Sequence, residues 1–265
     1  MTDKNKSAHR LVLITGATSG IGRAAAVRLA SEGYRLLLAG RRAVALNRLA
    51  ADLEQRYHTE CMSMVVDVRN LEELTRTISA IPKAWKEIDV LINNAGLAAG
   101  LDPVHQGSFD DWNQMIDTNI KGTLHLTRLI APGMIERGRG HIINVSSIAG
   151  REVYPNGAVY CATKHAVEGL TRGMRLDFVQ YGIKVSSVSP GAVETEFSLV
   201  RFKGDEERAK KVYEGFYPLQ ADDIADAISY VLSRPSHVNI QDILIMPTAQ
   251  ASSTVIARNA GDNRK

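Results

Sequence analysis

The chain has 265 residues, and its 45% hydrophobic and 23% charged residues are typical of a globular protein with a buried core. A formal net charge of +3 and only 6% aromatic residues argue against a nucleic-acid-binding module. No apolar run approaches the roughly 20 residues that cross a bilayer, and the N-terminus lacks the apolar centre of a signal peptide, so we expect no membrane partner either.

Short apolar runs alternate with segments of helical periodicity along the chain. The runs that predict strands are 11–14, 35–39, 62–66, 90–92, 141–145, 184–188 and 243–246. The segments that predict helices are 21–32, 43–57, 71–85, 109–137, 159–181 and 221–233. This alternation is typical of a parallel sheet covered by helices on both faces. It predicts one Rossmann-like, doubly wound α/β domain of about seven strands over residues 11–246.

Three segments do not fit the alternation. Residues 1–10 are predicted to be a flexible N-terminus, and residues 247–265 lack clear periodicity and are predicted to be a C-terminal tail. Residues 194–217 are polar and charged, and because long excursions of this kind often cover a site, we predict a substrate lid. Pro132 is predicted to kink the helix 109–137, since proline removes a backbone donor.

The first predicted strand runs into a turn with three glycines, Gly16, Gly20 and Gly22, and a helix follows. Glycines let the backbone pass close to a pyrophosphate, and the N-terminus of the helix favours its negative charge. Strand, turn and helix in this order predict a nucleotide site. A tight turn without a ligand is the alternative.

The end of the second strand bears on the choice of cofactor. NAD-binding sites of this kind have an acidic residue there that binds the ribose 2′-hydroxyl. Here Arg41 and Arg42 stand in its place, which suits a 2′-phosphate and predicts NADP(H), unless the two arginines only begin a solvated helix. After the third strand, Asp67 could accept from the adenine amino group or act as a turn residue.

Tyr160 and Lys164 lie four residues apart within a predicted helix, where such positions share a face. A lysine ammonium held there stabilises a tyrosinate and lowers the pKa of the phenol, which is otherwise about 10. A proton donor of this kind beside a nucleotide site predicts hydride transfer coupled to proton transfer at a carbonyl oxygen.

The two cysteines, Cys61 and Cys161, lie outside any Cys-x-x-Cys or Cys/His cluster. They indicate neither a disulfide framework nor a zinc site, so we expect no bound metal. Reduced cysteines and the lack of a membrane segment predict a cytoplasmic protein.

Together and in order, these motifs resemble the short-chain dehydrogenase/reductase family from Leu11 to about Met246. The matching positions are 15–22, Asn93 to Gly96, Asn119, Ser147, Tyr160, Lys164, Pro190, Gly191 and Thr195. The resemblance implies that Tyr160 is the general acid/base and that Lys164 lowers its pKa and binds the nicotinamide ribose. It also implies that Ser147 binds the substrate oxygen and that Asn119 holds a water in a proton relay with Lys164.

The same resemblance implies a cofactor site made of residues from each of these motifs. Asn94 to Gly96 would line the adenosine side, and Pro190 to Ala192 with Thr195 would hold the nicotinamide. The cofactor-binding residues predicted in this way are Gly16, Thr18, Ser19, Gly20, Ile21, Gly22, Arg41, Arg42, Asp67, Val68, Asn94, Ala95, Gly96, Tyr160, Lys164, Pro190, Gly191, Val193 and Thr195.

Further segments, among them 196–205 and 237–240, resemble the bacterial and fungal NADP-dependent 3-hydroxy acid dehydrogenases. That subgroup implies oxidation of serine, allo-threonine and related 3-hydroxy acids to 3-oxo acids, the reverse reduction, and a homotetramer. The loop 191–197 is shorter than the loop of that subgroup, which leaves the substrate open. A ketone or 3-oxoacyl reductase and a non-catalytic NADP(H) sensor are the alternatives.

A 3-hydroxy acid needs a cation or backbone donors for its carboxylate. Arg201 in the predicted lid is the candidate, and Lys203 and Arg151 are the other cations near the site in sequence. The residues predicted to contact the substrate are Ser147, Val153, Asn156, Tyr160 and Arg201.

Overall fold

The computed structural model of the protein describes residues 10–258. The predicted flexible N-terminus therefore lies outside the described residues except for Arg10, and so does the end of the predicted tail after Arg258. Within residues 10–258, no helix is long and apolar enough to cross a membrane, and no three His, Cys, Asp or Glu side chains are grouped so that they could hold a metal ion. Both cysteines are free thiols, and the cytoplasmic location stays a prediction.

A parallel sheet of seven strands forms the centre of the molecule. Its strands are β1 (Leu11–Thr15), β2 (Arg35–Gly40), β3 (Cys61–Val65), β4 (Ile88–Asn93), β5 (Gly140–Val145), β6 (Ile183–Pro190) and β9 (Asp242–Ile245). They lie in the order β3-β2-β1-β4-β5-β6-β9. Two short strands, β7 (Val193–Glu194) and β8 (Leu219–Gln220), pair with each other outside this sheet. The predicted doubly wound α/β fold is confirmed.

Nine α-helices connect the strands of the described chain. They are α1 (Gly20–Ser31), α2 (Ala43–Tyr57), α3 (Leu71–Ala80), α4 (Phe109–Met115), α5 (Gly122–Arg137), α6 (Ala158–Phe178), α7 (Glu196–Arg201), α8 (Glu206–Lys211) and α9 (Ala221–Leu232). The predicted lid 194–217 thus contains α7 and α8. Its role as a lid stays a prediction.

Both faces of the sheet are buried, which is why its strands are nearly continuous apolar runs rather than alternating ones. Val12 and Ile14 of β1 pack on one face with α1, α2 and α9. Leu11 and Leu13 point to the opposite face and pack with α3, α5 and α6. Successive side chains of a strand point to opposite faces, so one strand contributes to both halves of the core.

Two predicted helices are each divided in the structure. Helix α3 ends at Ala80, and a separate 3₁₀ turn, Lys83–Trp85, follows Pro82. Between α4 and α5 the chain forms a π-helical segment, Ile116–Lys121, so the predicted helix 109–137 is irregular well before Pro132. Pro132 lies inside α5. The π segment has no marker in the sequence, because it differs from α-helix only in its hydrogen-bond register.

The strand order reverses next to β1, which lies between β2 and β4. At such a switch point the loops that leave neighbouring strands run to opposite sides, and a crevice opens at the carboxyl ends of the strands. The glycine turn after β1 and the loop after β4 border this crevice. The loops after β5 and β6 extend it towards α6 and α7.

Candidate active site

A cleft with a cavity of about 500 Å³ opens along these carboxyl ends and beneath α7. A cavity of this volume is in the usual range for a cofactor or small-molecule site. The residues predicted from the sequence that line it are Gly16, Thr18, Ser19, Gly20, Ile21, Arg41, Arg42, Asp67, Val68, Asn94, Ala95, Gly96, Ser147, Tyr160, Lys164, Pro190, Gly191, Val193, Thr195 and Arg201. The fold therefore brings residues that follow six strands, β1 to β6, together with residues of α6 and α7.

The glycine turn after β1 has a backbone that suits glycine alone. Gly16 and Gly20 have positive φ angles of 65° and 49°, and a Cβ on Gly22 would lie 2.4 Å from the carbonyl oxygen of Gly16. Gly22 therefore packs beneath the turn and does not line the cleft. The first turn of α1 has no acidic residue, and its N-cap, Ser19, makes no capping hydrogen bond. This leaves its backbone N–H groups available to an anion such as a pyrophosphate.

Arg42, the N-cap of α2, provides a positive charge at one end of the cleft. Its Nε donates to the hydroxyl of Thr18 at 3.0 Å, and its guanidinium pairs with Glu196 of α7 at 3.2 Å. Arg41 beside it is exposed and also lines the cleft. Two guanidinium groups at this edge, with no carboxylate at the end of β2, fit a ribose 2′-phosphate.

Asp67 lines the same end, but its carboxylate is already engaged within its own loop. It accepts from the backbone N–H of Arg69 at 3.0 Å and pairs with the Arg69 guanidinium at 2.6 Å. Burial works to raise the pKa of Asp67, yet the hydrogen bonds and charge of Arg69 outweigh it and hold the pKa below its usual value. The structure thus gives Asp67 a turn role, and its adenine contact stays a prediction.

Helix α6 places Tyr160 on a buried face beside the cleft, which Ser147 from the loop after β5 also lines. Burial, together with the neighbouring Tyr154, raises the pKa of Tyr160 above its usual value, against the lowering effects of Ser147 and of the Arg201 charge. The four-residue spacing to Lys164 predicts a lowered pKa instead. Burial is the largest effect on this pKa in the structure, because it removes solvent from the phenolate.

Lys164 lies one helical turn from Tyr160, with its Nζ 5.9 Å from the centroid of the tyrosine ring. Nζ donates to the carbonyl oxygen of Val145 at 3.0 Å. Burial lowers the pKa of Lys164 to about 8, and the charge of Glu168 opposes that drop. At neutral pH the Lys164 side chain is therefore still mostly protonated, but its pKa lies only slightly above the pH.

Asn119 lies in the π segment and is buried behind the cleft rather than in its wall. Its Nδ2 donates to the carbonyl oxygen of Leu97 at 2.9 Å and to the hydroxyl of Thr163 at 3.0 Å, and its Oδ1 accepts from the N–H of Leu97. Both amide hydrogens are used, so a water at Asn119 would have to donate to it. A Cβ on Gly96 would touch both Oδ1 of Asn119 and Nζ of Lys164, which shows how closely these groups approach.

Arg201, the last residue of α7, reaches over the ring of Tyr160. Its guanidinium carbon lies 5.5 Å from the centroid of that ring and 5.3 Å from that of Tyr154. It donates to the Tyr154 hydroxyl at 2.8 Å and to the carbonyl oxygen of Gly100 at 3.3 Å. No carboxylate in residues 10–258 forms an ion pair with it, so Arg201 presents an unneutralised positive charge next to Tyr160.

The structure does not bring four of the candidate substrate residues into the cleft. Val153 is 68% exposed and lies outside it, and Asn156, with a φ of 64°, lines a separate small depression. Lys203 pairs with the buried Asp111 at 2.9 Å, and Arg151 lies 3.7 Å from Asp242. Of the three cations considered for a substrate carboxylate, only Arg201 faces the cleft.

Several residues of the cleft were not predicted. Phe197 packs against the ring of Tyr160 with centroids 5.6 Å apart, and Tyr154 supports Arg201. Gln250, from the predicted tail, accepts from the backbone N–H of Ala192 at 2.8 Å. Ser253 and Ile256 of the same tail also line the cleft. Tyr154 could have been suspected from its position between Ser147 and Tyr160, but nothing in the aperiodic tail signals a wall of the site.

Comparisons with known proteins agree with this geometry. A family model described as short chain dehydrogenase matches residues 10–205. The NADP-dependent 3-hydroxy acid dehydrogenase YdfG of Salmonella typhi is 43% identical over 242 residues, covering 91% of this chain and 96% of that protein. Sulfoacetaldehyde reductase 2 of Chromohalobacter salexigens is 44% identical over 244 residues, covering 92% and 96%. The solved closed form of a serine dehydrogenase complexed with NADP+ superimposes with a TM-score of 0.88 at 39% identity, covering 94% of this chain and 100% of that one.

Proposed function

The chain belongs to the short-chain dehydrogenase family, and we propose that it is an NADP(H)-dependent oxidoreductase that interconverts a 3-hydroxy acid with its 3-oxo acid. Serine, allo-threonine and 3-hydroxypropanoate represent the substrate type. The observation that carries the proposal is the position of Arg201, a cation with no acidic partner in the described chain, directly over the ring of Tyr160. This arrangement supports an anion-binding role for Arg201 beside a proton-transfer role for Tyr160 on the same small hydroxy acid.

The proposed cofactor is supported by relatives of the chain and by residues that line the cleft. The NADP-dependent relative and the NADP+ complex of the serine dehydrogenase support NADP(H). In this chain Arg41 and Arg42 would hold the 2′-phosphate, and the N-terminus of α1 would hold the pyrophosphate. When bound, the nicotinamide supplies a hydride acceptor in oxidation and a hydride donor in reduction.

Proton transfer falls to Tyr160. Ser147 and Tyr160 line the same part of the chain's cleft, and Ser147 is close enough to lower the pKa of Tyr160, so both hydroxyls could face one oxygen of the substrate. In oxidation Tyr160 takes the hydroxyl proton while the carbon loses hydride, and in reduction Tyr160 returns a proton to the oxygen as the carbon gains hydride. Ser147 donates a hydrogen bond to the negative charge that develops on that oxygen. The ammonium of Lys164 stabilises the tyrosinate that is formed or consumed.

A reductase for another class of carbonyl compound is the second candidate. The relative named sulfoacetaldehyde reductase 2 favours it, because Arg201 would hold a sulfonate as readily as a carboxylate. A non-catalytic NADP(H) sensor would not need Ser147, Tyr160 and Lys164 side by side, and the structure keeps all three around one point of the cleft.

We also propose that copies of the chain associate with one another. Phe109 and Leu124 on α4 and α5 are exposed, and so is Leu176 on α6. On the same helix, Gly169 and Gly173 have no other atom within 4 Å of where a Cβ would be, which would let a second helix approach closely. Exposed apolar groups on long helices favour an interface between copies of the chain, and we propose the homotetramer implied by the sequence resemblance.

The test is turnover by the pure protein. NADP+ or NAD+ is supplied with L- and D-serine, allo-threonine, 3-hydroxypropanoate, 3-hydroxybutanoate and neutral secondary alcohols, and reduced nicotinamide is followed by absorbance. We expect oxidation of the hydroxy acids with NADP+, and a loss of at least about 100-fold in Tyr160→Phe, since general acid/base groups contribute roughly 10²–10⁴-fold.

The control is the binding of NADPH by Tyr160→Phe, which should persist. Turnover of neutral alcohols or of a sulfonate substrate alone would move the function to the second candidate. Tight NADPH binding without any turnover would support the sensor.

A further inference from the structure

The charge on Lys164 has no direct counter-ion in the cleft. Its Nζ has one described acceptor, the neutral carbonyl oxygen of Val145, and no carboxylate of residues 10–258 forms an ion pair with it. The side chain is only 6% exposed. Burial disfavours an ammonium, so something in the surroundings must help to retain its proton.

Glu168 lies one turn further along α6 and is 2% exposed. Its Oε1 accepts from the hydroxyls of Ser187 and Ser189, both at 2.8 Å. Its Oε2 is buried and has no hydrogen-bond partner among the described residues. In this buried carboxylate one oxygen accepts two hydrogen bonds and the other accepts none. Burying such a group destabilises the fold unless a positive charge lies near.

Two serines of β6 hold this carboxylate in place. They stand two residues apart on β6, so their side chains point to the same face of the sheet, the face that α6 covers. Both hydroxyls donate to Oε1 of Glu168, and together they fix the orientation of its carboxylate.

Glu168 is sealed off from the cleft by the loop that carries Ser147. A Cβ on Gly150 of this loop would lie 2.9 Å from Cγ of Glu168 and 2.8 Å from the backbone oxygen of Lys164, so the loop packs directly on α6. Glu168 therefore cannot touch substrate or cofactor. Any effect it has on the reaction must pass through Lys164.

We propose that Glu168 is a positioning residue whose buried charge keeps Lys164 protonated, and that Ser187 and Ser189 hold Glu168 in place. The inference rests on the proposed function and deepens it, because it adds a third member to the Tyr160–Lys164 pair.

Other carboxylates beside α6 are already paired. Asp242 lies close to Arg175 and Arg151, and Asp111 pairs with Lys203. On the cleft side the titratable neighbours of Tyr160 are Tyr154, Cys161 and Arg201. None of them supplies a negative charge at neutral pH. Glu168 is therefore the carboxylate of the described chain that lies near Lys164 without a cation of its own, and its charge favours the ammonium form of Lys164.

The size of the effect matters because Lys164 is close to losing its proton. Its pKa is about 8 with Glu168 present, and the Glu168 charge raises it. A further fall of about one unit would leave Lys164 half neutral near pH 7.

Glu168→Gln tests the inference with little change in shape, since the glutamine oxygen can still accept from both serines. The titration of Lys164 is followed by NMR of protein with isotope-labelled lysine, and its signal is assigned by its loss in Lys164→Met. We expect the pKa of Lys164 to fall by about one unit. The alkaline limb of kcat/KM for reduction should move to lower pH by the same amount.

Two further variants separate charge from packing. Glu168→Asp keeps the charge and should restore much of the wild-type titration. Asp177→Asn removes an exposed carboxylate from the same helix and should leave it unchanged. If Glu168→Gln does not fold, Ser187→Ala weakens the hold on Glu168 and should shift Lys164 in the same direction by less.

A titration of Lys164 that is the same in Glu168→Gln as in the wild type overturns the inference, whatever the loss of thermal stability. Because the NMR titration needs no turnover, it decides the inference even if the hydroxy acids are not substrates. Failure of the proposed function would appear instead as an inactive wild-type protein.

Discussion

At the scale of single residues, we propose that Arg201 determines the substrate specificity of the reaction. Its side chain is held by the Tyr154 hydroxyl and the Gly100 carbonyl, both uncharged acceptors, so most of its positive charge remains for a ligand. A guanidinium presents its donors in a fixed plane and suits a carboxylate or a sulfonate. We therefore expect Arg201 to distinguish anionic substrates from neutral ones.

Arg201→Met should lower kcat/KM for 3-hydroxy acids by roughly 10- to 100-fold, since a hydrogen bond to a charged group contributes about 1.5–3 kcal/mol. The KM should carry most of the loss, and neutral alcohols should be affected far less. Steady-state kinetics on both substrate classes measures this. Lys203→Met, which removes another lid cation that pairs with Asp111, is the control. Equal losses on acids and neutral alcohols would count against an anion site at Arg201.

Some properties of these residues follow from the sequence, and others depend on the fold. The pairing of Tyr160 with Lys164 could be read from their spacing, because helix geometry fixes it. The raised pKa of Tyr160 could not, since it depends first on how deeply the folded chain buries the phenol. Val153 was placed near the substrate from its position in sequence alone, and the structure leaves its side chain exposed.

At the scale of elements, the π segment between α4 and α5 is the feature that the sequence did not reveal. A helix over 109–137 follows from apolar periodicity, and α4 and α5 do occupy that range. The π register changes which side chains face inwards, and it brings Asn119 against Leu97 and Thr163. A motif predicts Asn119 as a site residue, and that role stays a prediction; its contacts were not predictable, because they join parts of the chain far apart in sequence.

A second contact between elements links the start of α2 to the start of α7. Arg42 and Glu196 pair across the glycine turn, and a Cβ on Gly20 would lie 3.3 Å from Thr195, the N-cap of α7. The ion pair thus forms a strap over the place where a pyrophosphate would bind. Both side chains are about half exposed, so the strap can open readily.

Glu196→Gln should speed both the binding and the release of NADPH, each by about two- to fivefold, because an exposed ion pair contributes roughly 0.2–1 kcal/mol. Stopped-flow fluorescence of the bound nicotinamide gives both rate constants. Glu206→Gln breaks an exposed pair with Lys210 on α8, outside the cleft, and serves as the matched control. Rate constants that match in the two variants would show that the strap does not gate the cofactor.

At the scale of the whole molecule, the parallel sheet was predictable because apolar runs alternate regularly with amphipathic segments along the chain. The inner strands β1, β2, β4, β5 and β6 are buried on both faces, so their apolar runs are nearly continuous and easy to recognise. The wall of the cleft formed by Gln250 and Ile256 was not predictable, since a segment without periodicity is positioned only by the surfaces that it meets.

The stability of the fold should depend on pH through His141, which is buried in β5 with Nε2 2.8 Å from the Ser186 hydroxyl. Burial, helped by the charges of Lys184 and Arg10, lowers its pKa to about 3 from 6.5. Between these values the unfolded chain binds a proton that the folded one does not. The contribution of His141 to stability is therefore complete above pH 6.5 and declines as the pH falls towards 3.

His141→Gln should remove this dependence. From pH 7.5 to pH 5 the wild type should lose about 2 kcal/mol more of its free energy of unfolding than the variant, at roughly 1.4 kcal/mol per pH unit below 6.5. Urea unfolding at both pH values measures the difference. His165→Gln, which replaces an exposed histidine of α6, should behave like the wild type. Parallel losses in wild type and His141→Gln would mean that other groups cause the acid sensitivity.

The wall formed by Gln250, Ser253 and Ile256 has a consequence for the order of events during biosynthesis. These residues follow β9, the last strand of the sheet, whereas the glycine turn follows the first. As the polypeptide leaves the ribosome, the turn is available early, but the finished pocket exists only after translation has passed Ile256. Nascent chains therefore cannot be guided by a fully enclosed cofactor. Binding of the cofactor in the complete cleft is therefore a late event. A polypeptide that ends shortly after β9 can have a complete sheet and still lack a complete site.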